Sequence, residues 1–267
     1  MSEHLGRVLI LAGSDSGGGA GVQADIKTVT ALGGHASTAI TAITVQNTLG
    51  VTAVHSLPPE LVTAQARAVL DDIGADVIKT GMLGDTAMIE AVASVIAGAG
   101  VPTVIDPVMI AKGGAVLLEP YAVQALADAL IPLAALLTPN APEAAALTGL
   151  VVESTDDLRR AGEHLLAHGA SAVLMKGGHV EGERVIDILM TPVSETRFES
   201  GRIHTRHTHG TGCTLASACA VGLAQGHSLQ RSVERAHAYV QEAIRRAPGF
   251  GAGHGPLDHA WPMRRSS

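Results

Sequence analysis

Short apolar runs alternate along this chain with longer segments whose apolar residues recur at helical spacing. Val8–Ala12 reads as a buried strand. Val22–Leu32 reads as a helix, because Val22, Ile26, Val29 and Leu32 fall near one face. Ala36–Val45, rich in Thr and Ile, predicts a strand. Pro59–Ile73 predicts a helix with proline in its first turn and Leu61, Val62, Val69, Leu70 and Ile73 along one side. Further short strands are expected at Ala75–Lys79, Thr103–Asp106, Ala135–Thr138 and Ala172–Lys176. Helices are expected between them at Thr86–Ala97, Tyr121–Leu130, Ala141–Leu147 and Thr155–Ala167.

Short, wholly apolar strands separated by helices predict an α/β fold with a mainly parallel sheet covered on both faces. Val185–Ile203 alternates like strands around a turn and predicts a small antiparallel hairpin at an edge. Two helices, Thr211–Gln225 and Leu229–Arg246, close the pattern. No linker, low-complexity tract or internal repeat divides the chain, so residues 1–267 are expected to form one domain. Its ordered core is expected to run from about 7 to 259, with a loose tail from Ala260.

Composition narrows the function. At 46% apolar and 16% charged, the chain can bury a full core. Aromatics make up only 2%, too few for a base-stacking platform, and the net charge is −7 with no basic run beyond Arg264-Arg265. Both facts argue against nucleic acid as a partner. Cys213 and Cys219, if on one helix, lie about 9 Å apart at about 1.5 Å per residue, outside disulfide reach. Free thiols and an N-terminal apolar run too short for a signal or a membrane span predict a cytoplasmic protein.

Two glycine-rich stretches stand out. The first, Gly13 to Gly21, follows a strand and precedes a helix, where backbone N–H groups can approach a ligand. Gly19, Gly21 and Ala24 fit part of a dinucleotide fingerprint, but no Asp or Glu occurs between Asp25 and Glu60 to meet a ribose. No Gly-Lys-Ser/Thr exists, so a Walker A loop is excluded. The second stretch, His209-Gly210-Thr211-Gly212-Cys213-Thr214, opens a helix and so forms an anion hole. Cys213 in that first turn is either a base or nucleophile favoured by the helix dipole, or a packing residue; Cys219 reads as packing only.

Polar residues also cluster at strand ends, where open α/β sheets bind ligands. They are Asp106, Thr138-Pro139-Asn140 with Glu143, and Lys176. An acid near Mg²⁺ and a lysine on phosphates are what phosphoryl transfer needs. The 13 histidines show no metal spacing, and His207 and His209 read as loop hydrogen-bonders.

Taken in order, the motifs resemble the hydroxymethylpyrimidine/phosphomethylpyrimidine kinase family of thiamine biosynthesis, within the ribokinase-like three-layer α/β/α fold. The matching stretches are Ala12 to Gly21 with Gln23-Ala24-Asp25, Gln46-Asn47-Thr48, Lys79 to Leu83 and Asp106-Pro107-Val108-Met109. They continue with Thr138-Pro139-Asn140 and Glu143, Lys176 to His179, Thr208 to Thr214, and Gly253 to Leu257. The resemblance implies ATP and Mg²⁺ beside Asp106, Asn140, Glu143, Lys176 and Thr211, with His209 on the nucleotide side and Asp106 and Glu143 serving the metal. It implies the aminopyrimidine near Gly13, Asp25, Gln46, Met82 and Val108, and an anion hole from Gly210, Gly212 and Cys213, with Cys213 as base. The Gln46 amide carries a donor and an acceptor, matching a 4-aminopyrimidine edge.

The implied reaction is ATP-dependent phosphorylation of 4-amino-5-hydroxymethyl-2-methylpyrimidine and then of its monophosphate, by a homodimer. A pyridoxal kinase on the same scaffold is the alternative, and a non-catalytic ligand sensor a third reading. Val45, Thr80, Gly113-Gly114 and His207 depart from the usual residues, and the last two touch affinity and loop closure rather than the reaction.

Overall fold

Strand β1 (Arg7–Asp15) places Val8 to Ala12 fully out of water. Its side chains alternate between two cores, Leu9 and Leu11 in one and Val8, Ile10 and Ala12 in the other. That split decides the architecture, because a strand apolar on both faces must be covered on both. A computed structural model describes residues 4–264 of the chain.

Around β1 the chain builds a nine-stranded sheet in the order β3-β2-β1-β4-β5-β6-β7-β8-β9. Strands β2 (His35–Asn47), β4 (Val77–Thr80), β5 (Thr103–Ile105), β6 (Leu136–Leu137) and β7 (Val173–Met175) run parallel with β1. Strands β8 (Arg184–Thr191) and β9 (Ser194–Gly201) form the expected antiparallel hairpin at one edge. The opposite edge carries a second antiparallel strand, β3 (Gly50–Ser56), which pairs back on β2 from Asn47↔Gly50. The sequence pattern missed β3 because none of its side chains is buried, so it carries no alternation to read.

One face of the sheet is covered by α2 (Pro59–Asp72), α3 (Thr86–Ala99), α4 (Ala122–Leu130), α5 (Ala141–Thr148) and α6 (Thr155–Ala167). The other is covered by α1 (Gly21–Ala31), α7 (Thr211–Ala224) and α8 (Leu229–Arg245). Each buried Leu, Ile or Val of these layers contributes about 1.5–3 kcal/mol. Helix α7 is the central one, with ten buried residues from Thr214 to Ala224. Gly222 is what lets α8 approach it, since a Cβ there would lie 2.8 Å from Ser232.

The segment from Ala260, expected to be loose, is held as far as Arg264. Trp261 stacks on Tyr239 at 6.0 Å and donates its indole N–H to the Tyr239 carbonyl. Arg264 forks onto Asp258 at 2.8 and 2.9 Å. Residues 265–267 lie outside the described residues.

His259 ties this C-terminal segment to α7. The Thr214 hydroxyl lies 2.8 Å from Gly210 O and 3.0 Å from His259 Nε2. Burial, with Lys27 and His209 nearby, lowers the His259 pKa to about 4. Between pH 6.5 and 4 the unfolded chain therefore binds a proton that the folded chain refuses, so stability rises with pH across that window. Urea unfolding should show a loss of about 1–2 kcal/mol between pH 7 and pH 5 that is absent in His259→Gln.

Candidate functional site

The C-terminal ends of the parallel strands open onto a cavity of about 480 Å³. It sits where the strand order reverses about β1, the place at which open α/β sheets bind ligands. Gly13 at the end of β1, Gln46 at the end of β2, Met82 after β4 and Val108 after β5 line one side. Met82 covers Gly13 so closely that a Cβ on the glycine would lie 3.0 Å from the sulfur. Asp106, Asn140, Glu143 and Lys176 line the other side, and Gly210 to Cys213 meet them from the start of α7. A second cavity of about 540 Å³ adjoins the first, sharing Asn140, Lys176, Thr211 and Gly212 and extending between apolar Leu215, Val240 and Ile244.

The charged side is one network. Lys176 Nζ donates to Asp106 Oδ1 at 2.9 Å and lies 3.6 Å from Glu143 Oε2. Burial pulls the Lys176 pKa down, but Asp106 and Glu143 outweigh it and the ammonium stays above its ordinary value. Thr138 also donates to Asp106 Oδ1, at 3.1 Å. Asn140 and Glu143 close a reciprocal capping box at the start of α5, each side chain accepting the other's backbone N–H. Burial raises the Glu143 pKa to about 7, opposed by Lys176 and aided by Asp106. Gly212 has no side chain because one would crowd Lys176; a Cβ there would lie 3.2 Å from Nζ. The lysine thus reaches the N–H end of α7, where cation and helix dipole together favour an anion.

The two glycine-rich stretches prove to be different devices. In the first, the N–H groups of Gly17, Gly19 and Ala20 are spent on the Asp15 carboxylate, at 2.8, 3.0 and 2.8 Å. This loop therefore does not offer those N–H groups to a ligand; its glycines let the chain wrap its own acid. His209 Nε2 donates to the same carboxylate at 2.8 Å, and with the backbone bonds it holds Asp15 below the ordinary carboxylate range in spite of burial. The second stretch begins at Gly210, which has φ +82 and abuts the first loop: a Cβ there would lie 1.8 Å from Gly19 O. Only glycine fits that joint on both counts.

Three expectations change. Asp25 does not line the cavity: it is fully buried, gripped by Lys79 Nζ at 2.9 and 3.0 Å and by the Ser217 hydroxyl at 2.7 Å. His209, expected beside the nucleotide, stands at Asp15 and Gln46 and lines only the first cavity. Cys213 does line the cavity, but burial raises its thiol to about 12 against the pull of Lys79, so dipole-favoured thiolate is not the resting state. Both cysteines are free. Sequence reading missed Lys79, Asp15 and Thr44 as parts of the site. A lysine inside a wholly buried strand was the available signal for the first; the other two depend on contacts across long sequence separations.

The Lys79–Asp25 pair underlies the cavity floor at Gly81, whose Cβ would lie 3.2 Å from Nζ. Lys79→Met should destabilise the protein by about 3–5 kcal/mol, because Asp25 is left buried without its cation. The double variant Asp25→Asn/Lys79→Met should recover most of that loss in urea unfolding.

Comparison with known proteins agrees with this geometry. The sequence profile of the family described as phosphomethylpyrimidine kinase matches residues 15–258. A hydroxymethylpyrimidine/phosphomethylpyrimidine kinase of Streptomyces coelicolor is 48% identical over 256 residues, covering 96% of this chain and 95% of that one. The thiamine biosynthesis bifunctional protein ThiED of Geobacter sulfurreducens is 49% identical, over 95% of this chain and 52% of its own length. Among solved structures, an ADP complex of Bacillus subtilis pyridoxal kinase superposes with a TM-score of 0.90 at 35% identity, covering 98% of this chain and 100% of that one. The chain belongs to the phosphomethylpyrimidine kinase family.

Proposed function

We propose that residues 1–267 act as one kinase domain that transfers the γ-phosphoryl of ATP to the hydroxymethyl group of 4-amino-5-hydroxymethyl-2-methylpyrimidine. A second transfer to the monophosphate then gives the diphosphate for thiamine biosynthesis. The observation that carries the reading is one cavity in which Gln46, Met82 and Val108 face Lys176 and the Gly210–Cys213 turn. The amide suits the polar edge of a flat aminopyrimidine, with Met82, Val108 and Gly13 against its faces. Lys176, Asn140 and Thr211 border both cavities, which suits a triphosphate lying between them with its nucleoside in the second.

Asp106 and Glu143 fit a magnesium ion. Each spends one oxygen on Lys176, and the remaining Asp106 oxygen faces Gly212, 3.8 Å from where a Cβ would be. Two carboxylates completed by phosphate oxygens and water are a common magnesium set. Among the described residues no cluster of three His, Cys, Asp or Glu could hold a metal unaided, consistent with a site completed by nucleotide. The ion would neutralise phosphate charge and lower the repulsion between the two acids.

The protein's own residues do the rest. Lys176 and the N–H groups at Gly210, Gly212 and Cys213 hold the transferring phosphoryl, and Cys213 accepts the hydroxyl proton. Because phosphoryl transfer passes through a loose transition state, positioning and charge outweigh the base. Burial holds Cys213 as a thiol, so base catalysis draws on a thiolate fraction that grows with pH.

Purified protein with ATP and Mg²⁺ should convert the pyrimidine to mono- and diphosphate by mass spectrometry, with pyridoxal as the comparison substrate and excess chelator abolishing turnover. Cys213→Ala should lower kcat by about 10²-fold. The wild-type kcat should climb with pH from 7 to 9, whereas Cys213→Asp should give a flat profile over that range. A flat wild-type profile would assign the catalysis to Lys176 and the N–H groups alone.

Assembly as a homodimer and a cytoplasmic location belong to the same proposal. Ile43 and Val45 stand exposed on one face of the β2–β3 hairpin, with Leu49 exposed at its turn, and offer an apolar patch. No helix among the described residues is long and apolar enough to cross a membrane. Sedimentation velocity should report a species of twice the chain mass.

A further inference from the structure

Gln46 lies inside a small polar frame whose hydrogen bonds can be counted. Its backbone is pinned by Ser16, whose hydroxyl donates to Gln46 O at 2.8 Å and accepts from Gln46 N at 2.8 Å. One end of its carboxamide lies 3.3 Å from His209 Nε2 and the other 3.1 Å from Thr44 Oγ1. Each neighbour already has a fixed role. The Asp15 carboxylate can only accept, so His209 Nε2, 2.8 Å from Oδ2, carries a proton. The Thr44 hydroxyl has a single hydrogen and lies 2.8 Å from the Ser14 carbonyl and 3.1 Å from the Gln46 carboxamide; given to the shorter contact, that hydrogen leaves the oxygen to accept from Gln46.

The nitrogen and oxygen of a carboxamide are nearly isosteric, and the surrounding bonds decide which is which. An NH₂ towards His209 would meet a donor, and a carbonyl towards Thr44 would meet an acceptor. The opposite orientation pairs both ends: the carbonyl shares the His209 N–H with Asp15, and the NH₂ donates to Thr44. His209 and Thr44 are both buried, so a mismatch there costs about 1–3 kcal/mol per group.

We propose that His209 and Thr44, themselves held by Asp15 and the Ser14 carbonyl, are positioning residues that lock Gln46 with its carbonyl towards His209 and its NH₂ towards Thr44. The site thereby reads the order of donor and acceptor along one ring edge. The proposal rests on the reading of Gln46 as the ring-binding group. One carbonyl lone pair and one amide N–H remain for the ligand. An exocyclic amino group then belongs on the His209 side and the adjacent ring nitrogen on the Thr44 side. A 4-oxo ring presents the reverse order, carbonyl acceptor then ring N–H, and is rejected because Gln46 cannot turn over to meet it.

The test compares kcat/KM for the 4-amino substrate and its 4-oxo analogue in wild type, Gln46→Leu, His209→Leu, Thr44→Val and Thr44→Ser. Wild type should favour the amino compound, and His209→Leu and Thr44→Val should each shrink that ratio by about tenfold, chiefly through KM. Thr44→Ser, which keeps the hydroxyl, should retain the ratio. The lock is overturned if Gln46→Leu collapses the ratio while Thr44→Val and His209→Leu leave it intact. An unchanged ratio in Gln46→Leu instead overturns the ring-binding reading, and the specificity consequence with it. Nitrogen-15 NMR of labelled histidine decides the lock without substrate: His209 Nε2 should carry a proton in the free protein, and a bare Nε2 overturns it. Because Thr44→Val sits in a strand, which suits a β-branched residue, it keeps the kinetic arm open if His209→Leu fails to fold.

Discussion

The Asp15 carboxylate is the joint on which this site depends. It accepts three backbone N–H groups of the first glycine-rich loop and the His209 N–H that leads into the second. A carboxylate with four donors stays ionised and holds their geometry, because losing any one leaves buried polarity unpaired. The Gly19–Gly210 contact closes the same joint sterically. Through it the Gly13 and Gln46 side of the cavity, carried by β1 and β2, keeps a fixed distance from the start of α7, which belongs to the opposite end of the chain.

Beneath and beside that joint, each buried or half-buried lysine is matched by carboxylates. Lys79 meets Asp25 under the floor, and Lys176 meets Asp106 and Glu143 at the wall. Lys79 is wholly out of water and Lys176 mostly so, and each cation relies on its acids. The two sets differ in their slack. The Lys79 pair is closed, with both Asp25 oxygens held, and it stabilises the fold. The Lys176 set is open to the cavity, so its ammonium can be reached from there. Cys213 stands between them as a partly buried thiol, at which desolvation outweighs the helix dipole.

Much of this was legible beforehand. The strand–helix alternation, the Val185–Ile203 hairpin and the strand-end positions of Asp106, Asn140, Glu143 and Lys176 all follow from periodicity and from the rule that open sheets bind at their carboxyl edge. Strand β3 was invisible because it has no buried face. Asp25 was misplaced because a motif reports proximity in sequence to a site, not which way a helix turns its side chain.

Which segments are strands and helices, and which residue types gather at one sheet edge, can be read along the chain alone. Those depend on local period and on the apolar character of short runs, and both are written within about ten consecutive residues. The partnerships arise only on folding: Asp15 with His209 at a separation of 194 residues, Asp25 with Ser217 at 192, and Gln46 with His209 at 163. Such pairs leave no periodic trace, because each is set by how α7 docks across β1 rather than by the neighbours of either residue. The protonation of a buried group, and the end of an amide that faces it, are decided at that same level.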